Sequence, residues 1–232
     1  LDDSKASLVT LGLRSRGTEM HSVLSALDAR QKAAVQAALT KAMDDIAERF
    51  GASRVPVREA LRMLEHDGLV TLVANTGAWV ATLTLAECEE VYQMRERLEP
   101  LLLRYAAAEL DTADLDRLDA LAREMAETTE LDRFLELDRE FHLGTYERAD
   151  TSQLGEVVVK LWNTTQPYRR AYSRSMDDDA RRIVHDEHHL IVSALRDGDV
   201  ADAERVLAGH IRRTRRRLSL HPELFDTLDS AH

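Results

Sequence analysis

Cysteine is all but missing from this chain: Cys88 is the single cysteine in 232 residues. One thiol excludes a disulfide framework and any CxxC metal site, and it fits a reducing compartment. Proline and glycine are scarce as well, at 4 and 9 residues, about half the share of an average chain. Few chain breakers beside abundant Ala, Leu, Glu and Arg imply a mainly α protein. No apolar run approaches the ~18 residues of a membrane-spanning helix. No charged-then-apolar export segment occupies the first 30 residues. We therefore expect no membrane partner and a cytoplasmic location. Walker, GxSxG and GxGxxG motifs are also missing, so no P-loop, serine-hydrolase or dinucleotide site is indicated.

What is present suffices for folding. Hydrophobic residues make up 44% and charged residues 31%, enough apolar material for one or two cores, which argues against intrinsic disorder. A net charge of −11 argues at first sight against nucleic acid. Its distribution reverses that reading. Residues 1–85 are close to neutral, and the excess acidity lies from residue 86 onward. Any DNA contact is therefore expected in the first third, and the asymmetry favours two domains with different tasks.

The punctuation of the chain supports the division. Residues 1–21 read as a flexible arm and residues 22–39 as a helix. DDIAERF over 44–50 is a short helix, stopped by Gly51. Ser53 then serves as an N-cap, and Pro56 falls in the first turn, where a missing N–H is harmless. Val57, Ala60, Leu61 and Leu64 recur at helical spacing up to Gly68. Two short β-branched and apolar runs follow, around the turn Asn75-Thr76-Gly77. From residue 85 the pattern is helical, with helices expected near 86–110, 112–128, 130–149, 152–175, 178–196 and 199–219. Their short Asp-, Thr- and Gly-containing breaks imply an antiparallel bundle over 85–220, with a tail over 221–232.

Helix, tight turn, helix and hairpin is the order of a winged helix-turn-helix. Such a unit reads DNA through long donors at the start of its second helix. Arg54 and Arg58 are one turn apart there, and Arg62 continues the stripe. Spacing alone fits an ordinary solvated face equally well. The string FGASRVPVREALRMLEHDGLV, followed by NTGAWV, resembles the N-terminal domain of the GntR family of bacterial transcription regulators. The resemblance covers about residues 40–83. It implies that Arg54 and Arg58 contact DNA, with Arg62 on the same stripe and Ser53 and Gly77 near the backbone. One departure is that AALTKAMDDIAERF lacks the Pro-Gly turn usual in the family.

A second constellation lies in the acidic part. Asp138 and His142 are spaced i and i+4, so both project from one helix face. His188 and His210 lie on two further helices, and a carboxylate with imidazoles converging from several helices suits a divalent metal. By spacing, His185 and His189 compete with His188, and each of these residues also has an ordinary structural reading. The strings QMRERLEPLLLRYAA, LDREFHLGTY and DEHHLIVSALRDGDVADAERVLAGHI resemble the FCD ligand-binding domain of the FadR-like branch of the same family. That resemblance implies a metal held by Asp138, His142, His188 and His210, without choosing among Zn, Ni and Mn. It further implies a small carboxylate effector at the metal and an effector role for Arg95. Pairing with Glu99 is the alternative for Arg95. Trp162, Asn163, Tyr168 and Arg169 are candidate pocket residues, and Asn163 is taken with Arg95 as effector-binding. The turn RADTSQL lacks an Asn that members often carry.

The sequence thus reads as a homodimeric transcription regulator, a repressor relieved by a small organic acid. Two rivals accompany it: a metal-dependent hydrolase using the Asp/His site, and a regulator for which the metal itself is the signal.

Overall fold

The structure, a computed structural model, describes residues 54–73 and 77–225. The arm over 1–21, the helices over 22–39 and 44–50, Ser53, and Asn75 and Thr76 of the turn lie outside the described residues. Among the described residues, those up to Leu83 together with Phe225 fall in one compact unit and Thr84–Leu224 in the other.

In the first unit, α1 (Arg54–His66) leads into a two-stranded antiparallel hairpin, β1 (Val70–Val73) and β2 (Gly77–Val80). Val57 and Leu61 bury one face of α1, and Leu69 and Val70 are buried beyond it. Gly68 ends the helix at φ 76°, a conformation that costs a residue without Cβ nothing. Its N–H reaches the Glu65 carbonyl and the Leu69 N–H that of Leu64, satisfying carbonyls the last turn leaves open. The register pairs Val70 with Val80 and Val73 with Gly77.

The second unit is six helices: α2 (Leu85–Ala107), α3 (Thr112–Glu127), α4 (Leu131–Tyr146), α5 (Leu154–Ser175), α6 (Asp178–Arg196) and α7 (Val200–Leu218). The side chains of Thr84, Asp111, Asp177 and Asp199 cap α2, α3, α6 and α7 through amides of their first turns. Two helices end earlier than the sequence suggests. After Ala107 the chain tightens, with Glu109 N–H bonded to the Ala106 carbonyl at 2.9 Å, because Asp111 is already committed as the next cap. After Tyr146, Ala149 N–H bonds the Tyr146 carbonyl, and Arg148 reaches back to Asp114 at 2.9 Å.

Helix α2 packs along α7 and α5, α6 along α7, and α3 along α4 and α6. Leu103, Ala106, Leu118, Ala122, Met125, Leu137, Phe141, Val158, Trp162 and Ile191 are fully buried between them. Close packing leaves little room for polar groups. Even so, Arg95, Glu99, Asp138, His142 and His188 lie in this core, each at most 1% exposed. Buried charge on this scale is costly unless it is paired or ligates something.

Candidate functional site

Three helices bring four side chains to one point. Asp138 and His142 leave the same face of α4, His188 comes from α6 and His210 from α7. One ligand atom from each lies within 4.8 Å of all the others, and all four residues are buried. The Nε2 atoms of His142 and His188 stand 3.8 and 3.7 Å from Asp138 Oδ1, too far for hydrogen bonds. Asp138 Oδ1, both ring nitrogens of His142 and of His188, and Nε2 of His210 are buried with no hydrogen-bond partner. Six orphaned polar atoms around one point are not a settled core. A carboxylate and three imidazoles are the donor set of a divalent transition metal, and liganding would satisfy one lone pair on each residue. The residues therefore fit the metal that the sequence implies.

Electrostatics keep these donors ready. Burial, reinforced by the neighbouring imidazoles, holds His142 well below the usual histidine range. Burial does the same for His188, with His210 and Arg169 adding to it. Burial takes His210 down to about 4 against the opposing pull of Asp138. The three rings are neutral at pH 7, and neutral imidazole is the form that binds metals. The outer contacts fix orientation. His210 Nδ1 donates to Glu187 Oε2 at 2.9 Å, which leaves Nε2 as the free lone pair. Glu187 also pairs with Arg213, and Asp138 Oδ2 with Arg169.

A second polar network adjoins the first. Arg95 Nε donates to Glu99 Oε1 at 2.5 Å, and its Nη1 to Thr165 Oγ1 at 2.7 Å. Glu99 Oε2 accepts from the Tyr146 hydroxyl at 2.7 Å and from Trp162 Nε1 at 2.9 Å. Trp162 joins the networks: its ring lies 5.1 Å from that of His142, 4.4 Å from the Arg95 guanidinium carbon and 4.6 Å from that of Arg169. The competing histidines stand apart. His185 packs edge-on against Phe134, and the His189 side chain is 40% exposed beside Asp119.

Comparison with known proteins gives these observations a family. Residues 42–80 match the model of bacterial regulatory proteins of the gntR family, and residues 90–213 match the FCD domain. The chain belongs to the GntR family. It is similar to an uncharacterised HTH-type transcriptional regulator in an unstable DNA locus of Streptomyces ambofaciens, 30% identical over 79% of each chain. It also resembles the Nta operon transcriptional regulator of Aminobacter aminovorans, 28% identical over 73% of this chain and 79% of that one. Among solved structures, Escherichia coli McbR/YncC shares the fold with a TM-score of 0.71, at 21% identity, over 92% of this chain and 98% of that one. The regulator is accordingly mainly α, a winged helix-turn-helix joined to a helical FCD domain. It is a DNA-binding transcription regulator, and a hydrolytic role for the Asp/His site is set aside because the family and its relatives are regulators, not enzymes.

On the DNA-binding side of this GntR-family regulator, Arg54 opens α1 and Gly77 opens β2. Arg58 and Arg62 are exposed. Arg62 is held by Glu59 at 2.9 Å, an exposed pair that breaks at little cost. Asn163 is buried on α5 next to Trp162. Arg95 forms the ion pair with Glu99 described above. Two contributors escaped sequence reasoning. Glu187 and Arg213 sit 23 and 3 residues from His210, and only the packing of α6 on α7 brings them together. Glu99, expected as the alternative partner of Arg95, does pair with it, and its second oxygen serves residues 47 and 63 positions away. The one available signal was the Glu187-His188 pair itself, in which the ligand's neighbour turns to the facing helix. The basic run Arg212–Arg217 meets acidic partners: Arg212 and Arg215 pair with Glu96 and Arg213 with Glu187.

No helix among the described residues is long and apolar enough to cross a membrane.

Proposed function

We propose that this chain is a metal-containing, ligand-responsive repressor that binds its operator as a homodimer in the cytoplasm. The DNA-binding domain is taken as 22–84 and the effector- and metal-binding domain as 85–220. The observation that carries the reading is the buried quartet Asp138, His142, His188 and His210, whose orphaned atoms converge within 4.8 Å. These four residues would hold one divalent ion; Zn, Ni and Mn all suit three imidazoles and a carboxylate. When bound, the ion supplies a Lewis-acidic point for an anionic group. A small organic acid is the proposed effector, and Arg95 and Asn163, both buried near Trp162, are the side chains expected to meet it. If the acid prefers an arrangement of the two domains that spoils half-site spacing, operator affinity falls by the ratio of its affinities for the two states.

At the DNA, Ser53, Arg54, Arg58 and Arg62 would meet phosphates and base edges and Gly77 would approach the backbone. The test begins with selection of binding sites from random duplexes at ~150 mM salt, where non-specific binding has weakened. A two-fold symmetric site is expected, because a two-fold dimer reads a two-fold operator. On that site, Arg58→Ala is expected to lose ~1–3 kcal/mol of specific binding. Unchanged affinity in that variant would remove Arg58 from the interface. Titrating metal without any acid separates the rival: if metal alone switches operator affinity, the ion is the signal.

A further inference from the structure

The quartet's ligands leave α4, α6 and α7, but a side chain of α5 touches one of them. Arg169 pairs with Asp138 through Oδ2. Asp138 Oδ1 has no hydrogen-bond partner and stands 3.8 Å from Nε2 of His142 and 3.7 Å from Nε2 of His188. The two oxygens of one buried carboxylate are thus in opposite states, one committed and one open. The arginine is itself held. Its guanidinium carbon lies 4.6 Å from the centre of the Trp162 ring, and that ring is fully buried. Trp162 Nε1 donates to Glu99 Oε2 at 2.9 Å, and the Arg95 guanidinium lies against the same ring at 4.4 Å. Arg169 is 6% exposed, so little water is at hand to replace Asp138 as its partner. Turning Oδ2 away would leave a buried guanidinium short of its counter-charge, a costly arrangement.

We propose that Arg169 is a positioning residue that makes Asp138 a one-oxygen ligand, and so biases the quartet towards nitrogen-preferring ions such as Zn²⁺ and Ni²⁺ and against Mn²⁺. The inference rests on the metal reading above and narrows it. Hard ions prefer oxygen and commonly take both oxygens of a carboxylate, whereas imidazole suits Zn²⁺ and Ni²⁺. With Oδ2 committed, the quartet offers three nitrogens and one oxygen. With Oδ2 released it offers a second oxygen, and Mn²⁺ gains most from that addition. The positive charge of Arg169 lowers affinity for every divalent ion alike. Its effect on the choice of ion is therefore read in the ratio of two affinities, where the common charge effect cancels.

The test uses the full-length protein, stripped of metal and reloaded with Zn²⁺ or Mn²⁺, and involves no DNA. Infrared difference spectra of Zn-loaded against metal-free wild-type protein, labelled with heavy-carbon aspartate, read the carboxylate directly. A wide splitting between its antisymmetric and symmetric stretches is expected, the mark of ligation through one oxygen. A narrow splitting, the mark of two, overturns this inference alone and needs no variant. Competition with a chromophoric chelator then gives the ratio of Zn²⁺ to Mn²⁺ affinity. In Arg169→Met that ratio is expected to fall ~10-fold or more, the scale on which outer contacts tune a metal site, and the splitting in the Mn-loaded variant is expected to narrow. Arg169→Lys keeps the charge and a donor for Oδ2, and is expected to retain most of the wild-type ratio. An unchanged ratio in Arg169→Met, with both affinities moved alike, makes Arg169 a merely structural or electrostatic neighbour and overturns the proposal. Should that variant not fold, the wild-type infrared splitting decides. Failure of the wild-type protein to retain either ion overturns the metal reading and this inference with it.

Discussion

Glu187 accepts the Nδ1 proton of His210 and pairs with Arg213 at once. A carboxylate so placed fixes the tautomer of its histidine and raises the basicity of the free nitrogen. Glu187→Gln is therefore expected to weaken metal binding ~10–100-fold with the four ligands intact, measured by competition with a chromophoric chelator. The neutral rings carry a pH consequence. His210 is taken from 6.5 to about 4 in the folded chain, and His142 and His188 also move down. Between pH ~6.5 and ~4 the unfolded chain binds protons at these sites and the folded chain does not, so stability falls as pH falls through this window. The metal-free protein is expected to lose about 3 kcal/mol from His210 alone by pH ~4, and nothing from it above pH ~7.5, as read by urea midpoints. Asp138 and His142 were legible as a pair because they share one helix face. That His188, and not His185 or His189, completes the set depends on how α6 is rotated against α4 and α7, and several rotations suit the same spacing.

At the scale of elements, four of the bundle's helices start at side-chain caps. Thr84 and Glu87 exchange hydrogen bonds at the head of α2: the Glu87 amide donates to Thr84 Oγ1 at 3.3 Å, and the Thr84 amide to Glu87 Oε2 at 2.8 Å. The bond from the Thr84 amide holds the Glu87 carboxyl below its usual range. Thr84→Ala is expected to cost ~1 kcal/mol of bundle stability, visible as a shifted denaturant midpoint. Gly198 turns the chain between α6 and α7 at φ 72°, with open space around it. An alanine there meets no neighbour, so its ~1 kcal/mol cost would be purely conformational. These caps and the Gly68 stop were written in short local signals, which explains why helix order was readable. Helix ends were less so. The segments after Ala107 and Tyr146 keep helix-forming residues, and the helix yields there to a following cap and to the reach of Arg148 for Asp114.

For the whole molecule, charge and task are segregated along the chain. The first 85 residues are nearly neutral, and the rest carries the acidity behind the net −11. The logarithm of operator affinity is expected to fall linearly with log salt concentration, with a slope set by the few cationic contacts of the winged unit. Removing acidic residues of the bundle surface should leave that slope unchanged, in fluorescence anisotropy measurements at several salt concentrations. The family was readable from its motif strings, whereas the choice of His188 for the quartet came from the FCD resemblance and not from spacing. The polar core around Trp162 was not readable, because its contacts join residues tens of positions apart, and no periodicity announces them.

The chain holds 2 tryptophans, and they fall one in each unit: Trp79 in β2 of the wing and Trp162 in α5. Trp162 is fully buried and lies 5.1 Å from the ring of His142. The protein thus carries two intrinsic optical reporters, one for each of its tasks. In a Trp79→Phe background the remaining emission belongs to the bundle. A paramagnetic ion such as Ni²⁺ or Mn²⁺ at the quartet would quench it, while closed-shell Zn²⁺ would not quench it by that route. In a Trp162→Phe background the signal belongs to the wing and follows operator binding alone. Metal binding at the quartet and DNA binding at the wing can then be followed separately, without an added dye.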